Sequence, residues 1–403
     1  MIGPFGLRVK STMRERALPM ARAMAKRGHS VAVVIPPWDS PEDAGQRWID
    51  SGVNVIHTPG SRLPGALAAL QLTGWLVKAA IQQRPDVIHC FKPKAYAGLA
   101  HLALHTFRQI RPRAWKLVID EDDWEQAWND ENPYSRLEKR LFAWQEPWGL
   151  RRADAVTVAS LALQSMVTEL RGSGEGVCYV PNGVRALTAD TSALAPAQIR
   201  AKHGLFEHPT ILVYTRFVEF ELPSLVAVIR ETARRVPEAR WLVVGRGFFG
   251  EEHALAQALE QEGMAETARF AGWTPASDLP AYFAASDAAL HLYEDTLINQ
   301  TKCSVKLLDL LAAGVPVVAS RVGQNSAYIE DGRTGLLVPP GDAPAHADAL
   351  ALLLNDPDRR RSIGQAASAE MEAHFSWDAL VGAAETAYVL ATEARRDSRL
   401  EML

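Results

Sequence analysis

The sequence predicts an α/β protein of two doubly wound domains, each a parallel sheet covered by helices. Three observations carry this. Short apolar runs alternate with helical patterns along the chain. The runs show little polar alternation, as expected of strands covered on both faces. They also fall into two series, separated at Val180–Pro181–Asn182–Gly183, where a turn tripeptide stops a strand.

The first series is Val31–Ile35, Val53–Ile56, Asp86–Cys90, Leu117–Asp120, Ala155–Ala159 and Val177–Val180. The second is Ile211–Thr215, Trp241–Val244, Ala268–Phe270, Ala288–Tyr293, Val315–Ala319 and Leu336–Val338. So many strands exceed a usual single sheet. Helical periodicity marks Met13–Lys26, stopped by Gly28, Leu225–Arg235, and Val305–Ala313, stopped by Gly314. Such βα alternation argues for parallel sheets. Ala186–Ala197 reads as a linker and Trp377–Arg395 as one amphipathic helix. The expected domains are 1–183 and 184–375, with 376–403 a final helix and tail. Only Met1 and Ile2 precede the turn Gly3–Pro4–Phe5–Gly6, so the first strand is either a stub or begins upstream.

Bulk properties narrow the function. The chain has 403 residues, 48% hydrophobic and 22% charged, an ordinary globular composition. A net charge of −4 offers no basic field for a nucleic-acid backbone. Cys90, Cys178 and Cys303 lie far apart, without metal-ligand spacing, and read as reduced thiols. Arg8, Lys10, Arg14 and Arg16 break up the start of the chain, unlike a signal peptide. The uncharged stretch Leu63–Val77 is too short for a membrane span. A buried helix is the preferred reading, a membrane-facing one the alternative. The expected location is cytoplasmic, with the inner face of a membrane left open.

Four segments carry candidate chemistry. Gly245, Gly247 and Gly250 form G-x-G-x-x-G after a strand and before a helix at Glu251, with Glu262 or Glu266 as candidate ribose acids. That is formally a dinucleotide fingerprint, but Arg246, Phe248 and Phe249 between the glycines are bulky. The alternative is a sharp turn at the strand edge where open sheets bind ligands. Gly3 and Gly6, with Arg8, Lys10, Ser11 and Thr12, precede a helix, and this loop is either an anion-binding loop or a plain connection. The segment Asp120–Asn132 holds Asp120, Glu121, Asp122, Asp123, Glu125, Asp130 and Glu131, with Trp124 and Trp128 among them. Sugar or polyol contact is preferred there, because carboxylates accept hydroxyl hydrogen bonds. A solvated acidic loop and an oxygen-ligand metal site compete, although the calcium-loop spacing is absent. Finally come Asn299, Thr301, Lys302, Ser304, Lys306 and Asp309. Lys306 and Asp309 share a helix face and suit either a diphosphate and a ribose or a surface ion pair.

Taken together, these segments resemble family 4 glycosyltransferases of the GT-B fold. The resemblance runs through Tyr179–Val184, Arg216, Val244–Gly247, Leu308–Ala319 and Asp331–Val338. It implies two facing Rossmann-like domains with a C-terminal crossover helix. The C-terminal domain would hold a nucleotide sugar, and the N-terminal domain a sugar, polyol or lipid-linked acceptor, with peripheral membrane contact left open. Transfer would retain configuration (EC 2.4 class) and need no cofactor or metal. By position, Arg216 would meet the diphosphate, Gly245 and Arg246 would border the nucleotide, and Asp309 would take the ribose. Thr301 stands where the family has a further glutamate, and Glu219–Phe220–Glu221 where it has a basic residue. Lys302–Cys303–Ser304 replaces a glycine-rich loop, and Asp122 an N-terminal histidine. Lys306 would supply the displaced positive charge. Catalysis is expected from Arg216, Lys306 and Asp122, donor binding from Gly245, Arg246, Thr301, Ser304 and Asp309, and acceptor or loop contacts from Gly3, Gly6, Asp120, Asp123 and Trp124. A same-fold nucleotide-sugar epimerase and a non-catalytic nucleotide-sugar-binding partner are the alternatives.

Overall fold

The structure, a computed structural model, describes residues 1–8, 12–37, 40–111, 115–184 and 194–400. Lys10, Ser11, most of the Ala186–Ala197 segment and the Asp130 side chain lie outside the described residues. The chain divides into two compact units, 1–183 with 301–303 and 377–403, and 184–300 with 304–376.

In the first unit the strands are β1 (Ala32–Ile35), β2 (Arg47–Asp50), β3 (Val53–His57), β4 (Val87–Phe91), β5 (Lys116–Glu121), β6 (Ala155–Val158) and β7 (Val177–Tyr179). β4-β5-β6-β7 are parallel neighbours, and β1 pairs in parallel with β3. Ile2 joins the two sets as a stub strand, bridging Val34 on one side and Cys90 on the other. β2 has no counterpart among the strands read from sequence. It is an antiparallel edge strand turned back by Ser51 and Gly52, both at positive φ, as a two-residue hairpin turn requires.

The strands are apolar on both faces because both faces are covered. Leu117 and Ile119 pack into one cluster with Leu76, Leu104 and Leu150. Val118, between them, points the other way onto Ala387 and Ala391, which follows from the two-residue period of a strand. Those alanines belong to the helix Trp377–Leu400. Its Tyr388 hydroxyl lies 2.9 Å from His89 Nδ1 on β4. The segment Met13–Lys26 is not one α-helix. A π-helical turn, Met13–Ala17, precedes the α-helix Leu18–Lys26. The uncharged stretch lies mostly in the helix Gly65–Gln82, which is buried on one face only. Leu72 and Leu76 are inside, whereas Leu67 and Leu70 are exposed, which corrects the reading of a buried helix.

In the second unit the strands are β8 (Thr210–Tyr214), β9 (Arg240–Val244), β10 (Ala268–Gly272), β11 (Ala288–His291), β12 (Val317–Ser320) and β13 (Leu336–Val338). All neighbours are parallel, in the order β10-β9-β8-β11-β12-β13. Ile211, Val213, Trp241 and Val243 bury one face against Leu225 and Ile229, on the helix Leu222–Arg235, and Leu350 and Leu353, on Ala343–Asn355. The order runs outward from β8 in one direction and from β11 in the other. The topological switch point therefore lies between β8 and β11, where open α/β sheets receive ligands beyond the strands' carboxyl ends.

Candidate functional site

The loops leaving β8 and β11 are tied together at that switch point. Arg216 follows β8 and is exposed, with its guanidinium carbon 4.7 Å from the Phe248 ring centre. Phe217 is buried in the left-handed region at φ 62°, and its N–H donates to Thr215 Oγ1 at 2.8 Å. The chain turns back so that buried Glu219 lies beneath the edge. Its carbonyl oxygen accepts from Asn299 Nδ2 at 2.7 Å and from the Glu294 N–H at 3.1 Å. Asn299 also donates to the Glu294 carbonyl oxygen at 2.9 Å. The Glu219 carboxylate accepts from Lys306 Nζ at 2.8 Å and from Thr215 Oγ1 at 3.2 Å.

Lys306 and Asp309 lie in the helix Val305–Ala312, which Ser304 caps through a 3.3 Å hydrogen bond from the Leu307 N–H. Ser304 is thus a helix cap as placed. Asp309 is 1% exposed and Thr301 is buried. Gly245 follows β9 at φ 130°, and a Cβ there would meet the Thr215 carbonyl oxygen at 1.8 Å. Only glycine fits this approach of the β8 and β9 ends. The rest of the glycine motif does not present a phosphate cradle. The N–H groups of Gly247 and Phe249 donate to Glu252 and Glu251 at 3.0 and 2.8 Å. Glu262 is paired with Arg230. Acid side chains already satisfy these two amides, which disfavours a second anion there and argues against the dinucleotide reading. Arg246, largely exposed, lies 3.5 Å from Glu252.

In the first unit the acidic segment is not a solvated loop. β4 and β5 pair Phe91 with Asp120, so the residues after β4 lie beside those after β5. Lys92 follows β4 in the left-handed region at φ 51°. Its ammonium lies 3.0 Å from Asp122, 2.9 Å from Asp123 and 2.6 Å from Glu125. Lys94 holds Glu125 from the other side at 2.7 Å. Burial opposes the charge on Lys92, but the three carboxylates outweigh it and push its pKa well above the usual lysine range. Burial likewise opposes ionisation of Glu125, yet Lys92 and Lys94 draw it down to about 2. Asp122, where burial dominates, is pushed up, and its Oδ2 accepts from Thr12 Oγ1 at 3.0 Å. Asp122, Asp123 and Glu125 are the group with metal-ligand proximity among the described residues. Lys92 Nζ touches all three and stands where a cation would.

Asp120 and Glu121 point to opposite faces of β5 and are fully buried. Asp120 grips Arg16 in a fork, at 2.6 and 2.7 Å, and accepts from Thr157 Oγ1 at 2.6 Å. Burial works against the Arg16 charge, and Asp120 more than offsets it. Arg16 also donates to Asn182 Oδ1 at 3.1 Å. Asp120 therefore holds the fold together, which corrects its expected ligand contact. Burial, then Glu146 and Glu125, raise the Glu121 pKa well above the carboxylate range. Burial and Glu125 push Glu146 up to about 7, although the N–H groups of Glu125 and Gln126 donate to it at 2.6 and 3.2 Å. Trp124 is half-buried against this core. Gly3 is packed as well. A Cβ there would meet the Met13 sulfur at 2.0 Å, so its smallness serves a helix contact. Gly6 is buried too.

Comparison with known proteins agrees with this architecture. The family model "Glycosyl transferase 4-like domain" matches residues 11–183, and "Glycosyl transferases group 1" matches residues 208–356. The chain belongs to the family 4 glycosyltransferases. This glycosyltransferase is 28% identical over 349 residues to the GDP-mannose-dependent alpha-(1-6)-phosphatidylinositol monomannoside mannosyltransferase of Mycolicibacterium smegmatis, covering 84% of this chain and 85% of that one. It is 27% identical over 413 residues to the phosphatidyl-myo-inositol mannosyltransferase of Mycobacterium leprae, covering 100% and 98%. Among solved structures, Anabaena Alr3699/HepE in complex with UDP and glucose aligns at TM-score 0.68 with 19% identity, covering 97% and 99%. The fold is GT-B, and the activity is glycosyl transfer from a nucleotide sugar to a sugar or lipid-linked acceptor.

Within that family the departures noted in the sequence acquire a spatial meaning. The glycosyltransferase has an acid, Glu219, where a basic residue was expected, and that acid meets Lys306, the lysine expected to supply the displaced positive charge. Sequence reasoning missed the charges behind the acidic segment, Lys92, Lys94 and Arg16. The parallel register of β4 and β5 was the signal that could have found the first two.

Proposed function

We propose that the enzyme transfers a hexosyl group, with retention of configuration, from a nucleoside diphosphate sugar bound over the carboxyl ends of β8, β9 and β11. The observation that carries this is the tethering of the β8 and β11 loops at the switch point, with Arg216 and Lys306 on the elements involved. Those cations would stabilise the leaving diphosphate, Asp309 would accept from ribose hydroxyls, and no metal ion would be required. The acceptor would be a polyol or lipid-linked sugar, in keeping with the phosphatidylinositol-type acceptors in the relatives' names. Asp122 and Asp123 are the first unit's candidates for its hydroxyls.

No helix among the described residues is long and apolar enough to cross a membrane. Exposed Leu63, Leu67 and Leu70, beside Arg62, instead support peripheral contact with an anionic bilayer. Thermal-shift titration with UDP, GDP and ADP, followed by hydrolysis of the matching sugar nucleotide in EDTA, tests the donor reading. No shift with any of the three, or activity lost in EDTA and restored by Mg²⁺, would count against it. Co-sedimentation with vesicles containing anionic lipid tests the membrane contact.

A further inference from the structure

We propose that Glu219 is the positioning residue for Lys306, an acid that aims the ammonium for the transition state while weakening the resting hold on the nucleotide. The inference rests on the donor-site reading above. A lysine carries its charge on a flexible four-carbon stem, and Lys306 lies in the first turn of its helix. Glu219 removes that freedom because it is itself fixed from three sides. Thr215 Oγ1 donates to one carboxylate oxygen, while the Glu294 N–H and Asn299 Nδ2 both donate to its main-chain oxygen. The carboxylate is buried and the lysine side chain is 17% exposed, so the pair is not sealed from solvent.

This arrangement has two effects of opposite sign. A diphosphate accepting from Lys306 comes within about two hydrogen-bond lengths of the Glu219 carboxylate, roughly 5–6 Å, and like charges at that range repel. Resting affinity is lowered. When the glycosidic bond breaks, charge gathers on one leaving oxygen, and a cation already aimed there needs no reorganisation. Diphosphate charge in the resting complex is spread over several oxygens and tolerates a misplaced ammonium. Loss of Glu219 should therefore help binding and harm turnover.

The test measures UDP and GDP affinity, and the hydrolysis rate of the sugar nucleotide whose base binds. Glu219→Gln should tighten nucleotide binding about three- to tenfold and lower kcat at least tenfold. Glu219→Asp keeps the charge but shortens the reach, so it should lower kcat without tightening binding. It also serves if the Gln variant does not fold. In a Lys306→Ala background either Glu219 substitution should have no further effect on kcat, since the acid acts through the lysine. Additive losses in that cycle, or unchanged kinetics in both Glu219 variants, overturn the proposal. Failure of the donor-site reading looks different, because Arg216→Ala and Lys306→Ala would then leave nucleotide binding and hydrolysis as in the wild type.

Discussion

In the first unit one ammonium, Lys92, is enclosed by three carboxylates and almost no solvent reaches it. In the second, Arg216 stands in solvent and Lys306, its side chain 17% exposed, meets the buried Glu219 carboxylate. Both regions sit at the carboxyl ends of parallel strands and both are dense in charge. The first is neutralised from within and continuous with the core. The second leaves positive charge exposed at a switch point. Density of charge alone therefore does not single out a site for an anionic substrate, and what sets the second region apart is an exposed arginine, Arg216.

The largest effect should come from breaking the first region. Removing one partner of a buried ion cluster leaves the others uncompensated, which costs about 3–5 kcal/mol. Lys92→Met should lower stability by that amount in urea denaturation, while protein that remains folded binds nucleotide as before. A variant of full stability would show that the cluster does not hold the fold. Next in size are the cations of the second region. Arg216→Ala and Lys306→Ala should each slow donor hydrolysis about 100-fold, with smaller changes in nucleotide affinity and little change in melting temperature. Equal losses in affinity and rate would move their role to ground-state binding.

Much of this contrast could be read from sequence, and the unread part has a physical cause. Residues that act through their own strand or turn were visible. Gly245 follows an apolar run, Arg216 ends one, and Val180–Gly183 punctuates the chain where the two units divide. Residues whose meaning depends on what lies beside them were not. Lys92 in Phe91–Lys92–Pro93–Lys94 looks like ordinary loop charge until the β4–β5 register brings it to Asp122, Asp123 and Glu125, some thirty residues on. Asp120 looked like a ligand because nothing local announced Arg16 as its partner. β2 escaped because Trp48 and Ile49 are exposed on an edge strand, although the Ser51–Gly52 turn was a legible hairpin signal.

Asp309 lies between the two behaviours, buried like the first region yet placed on the second's helix. Asp309→Ala should weaken UDP or GDP binding by about 1.5–3 kcal/mol, as for a lost hydrogen bond to a charged group. Calorimetric titration would measure this, with the Asp309→Asn variant preserving shape. A loss of melting temperature with unchanged affinity would assign Asp309 to the fold instead.

The smallest effect is a slope, and it asks whether the first region's acids belong to the fold. Glu146 has a folded pKa of about 7 against 4.5 ordinarily, through burial and the nearby Glu125. Between those values the native state holds a proton that the unfolded state has released. Stability from this group is then fully present below pH 4.5 and lost as pH rises toward 7, at no more than about 1.4 kcal/mol per pH unit for one proton. Glu125 works the other way. Its folded pKa of about 2 makes its contribution present above pH 4.5 and lost as pH falls from there toward 2. The two windows meet without overlapping, but His89 and His101, lowered by burial, and Asp122, raised by it, also shape the urea-denaturation curve from pH 4.5 to 7.5, so the Glu146 contribution is read as the difference in slope between wild type and variant. Glu146→Gln mimics the protonated acid, and its amide oxygen can still accept the Glu125 N–H. The substitution should flatten the decline by up to about 1 kcal/mol per pH unit and make the protein more stable than wild type at pH 8. Glu121, also raised by burial, would keep some slope. An unchanged slope in Glu146→Gln would place the titrating proton elsewhere and detach this carboxyl pair from the stability of the first unit.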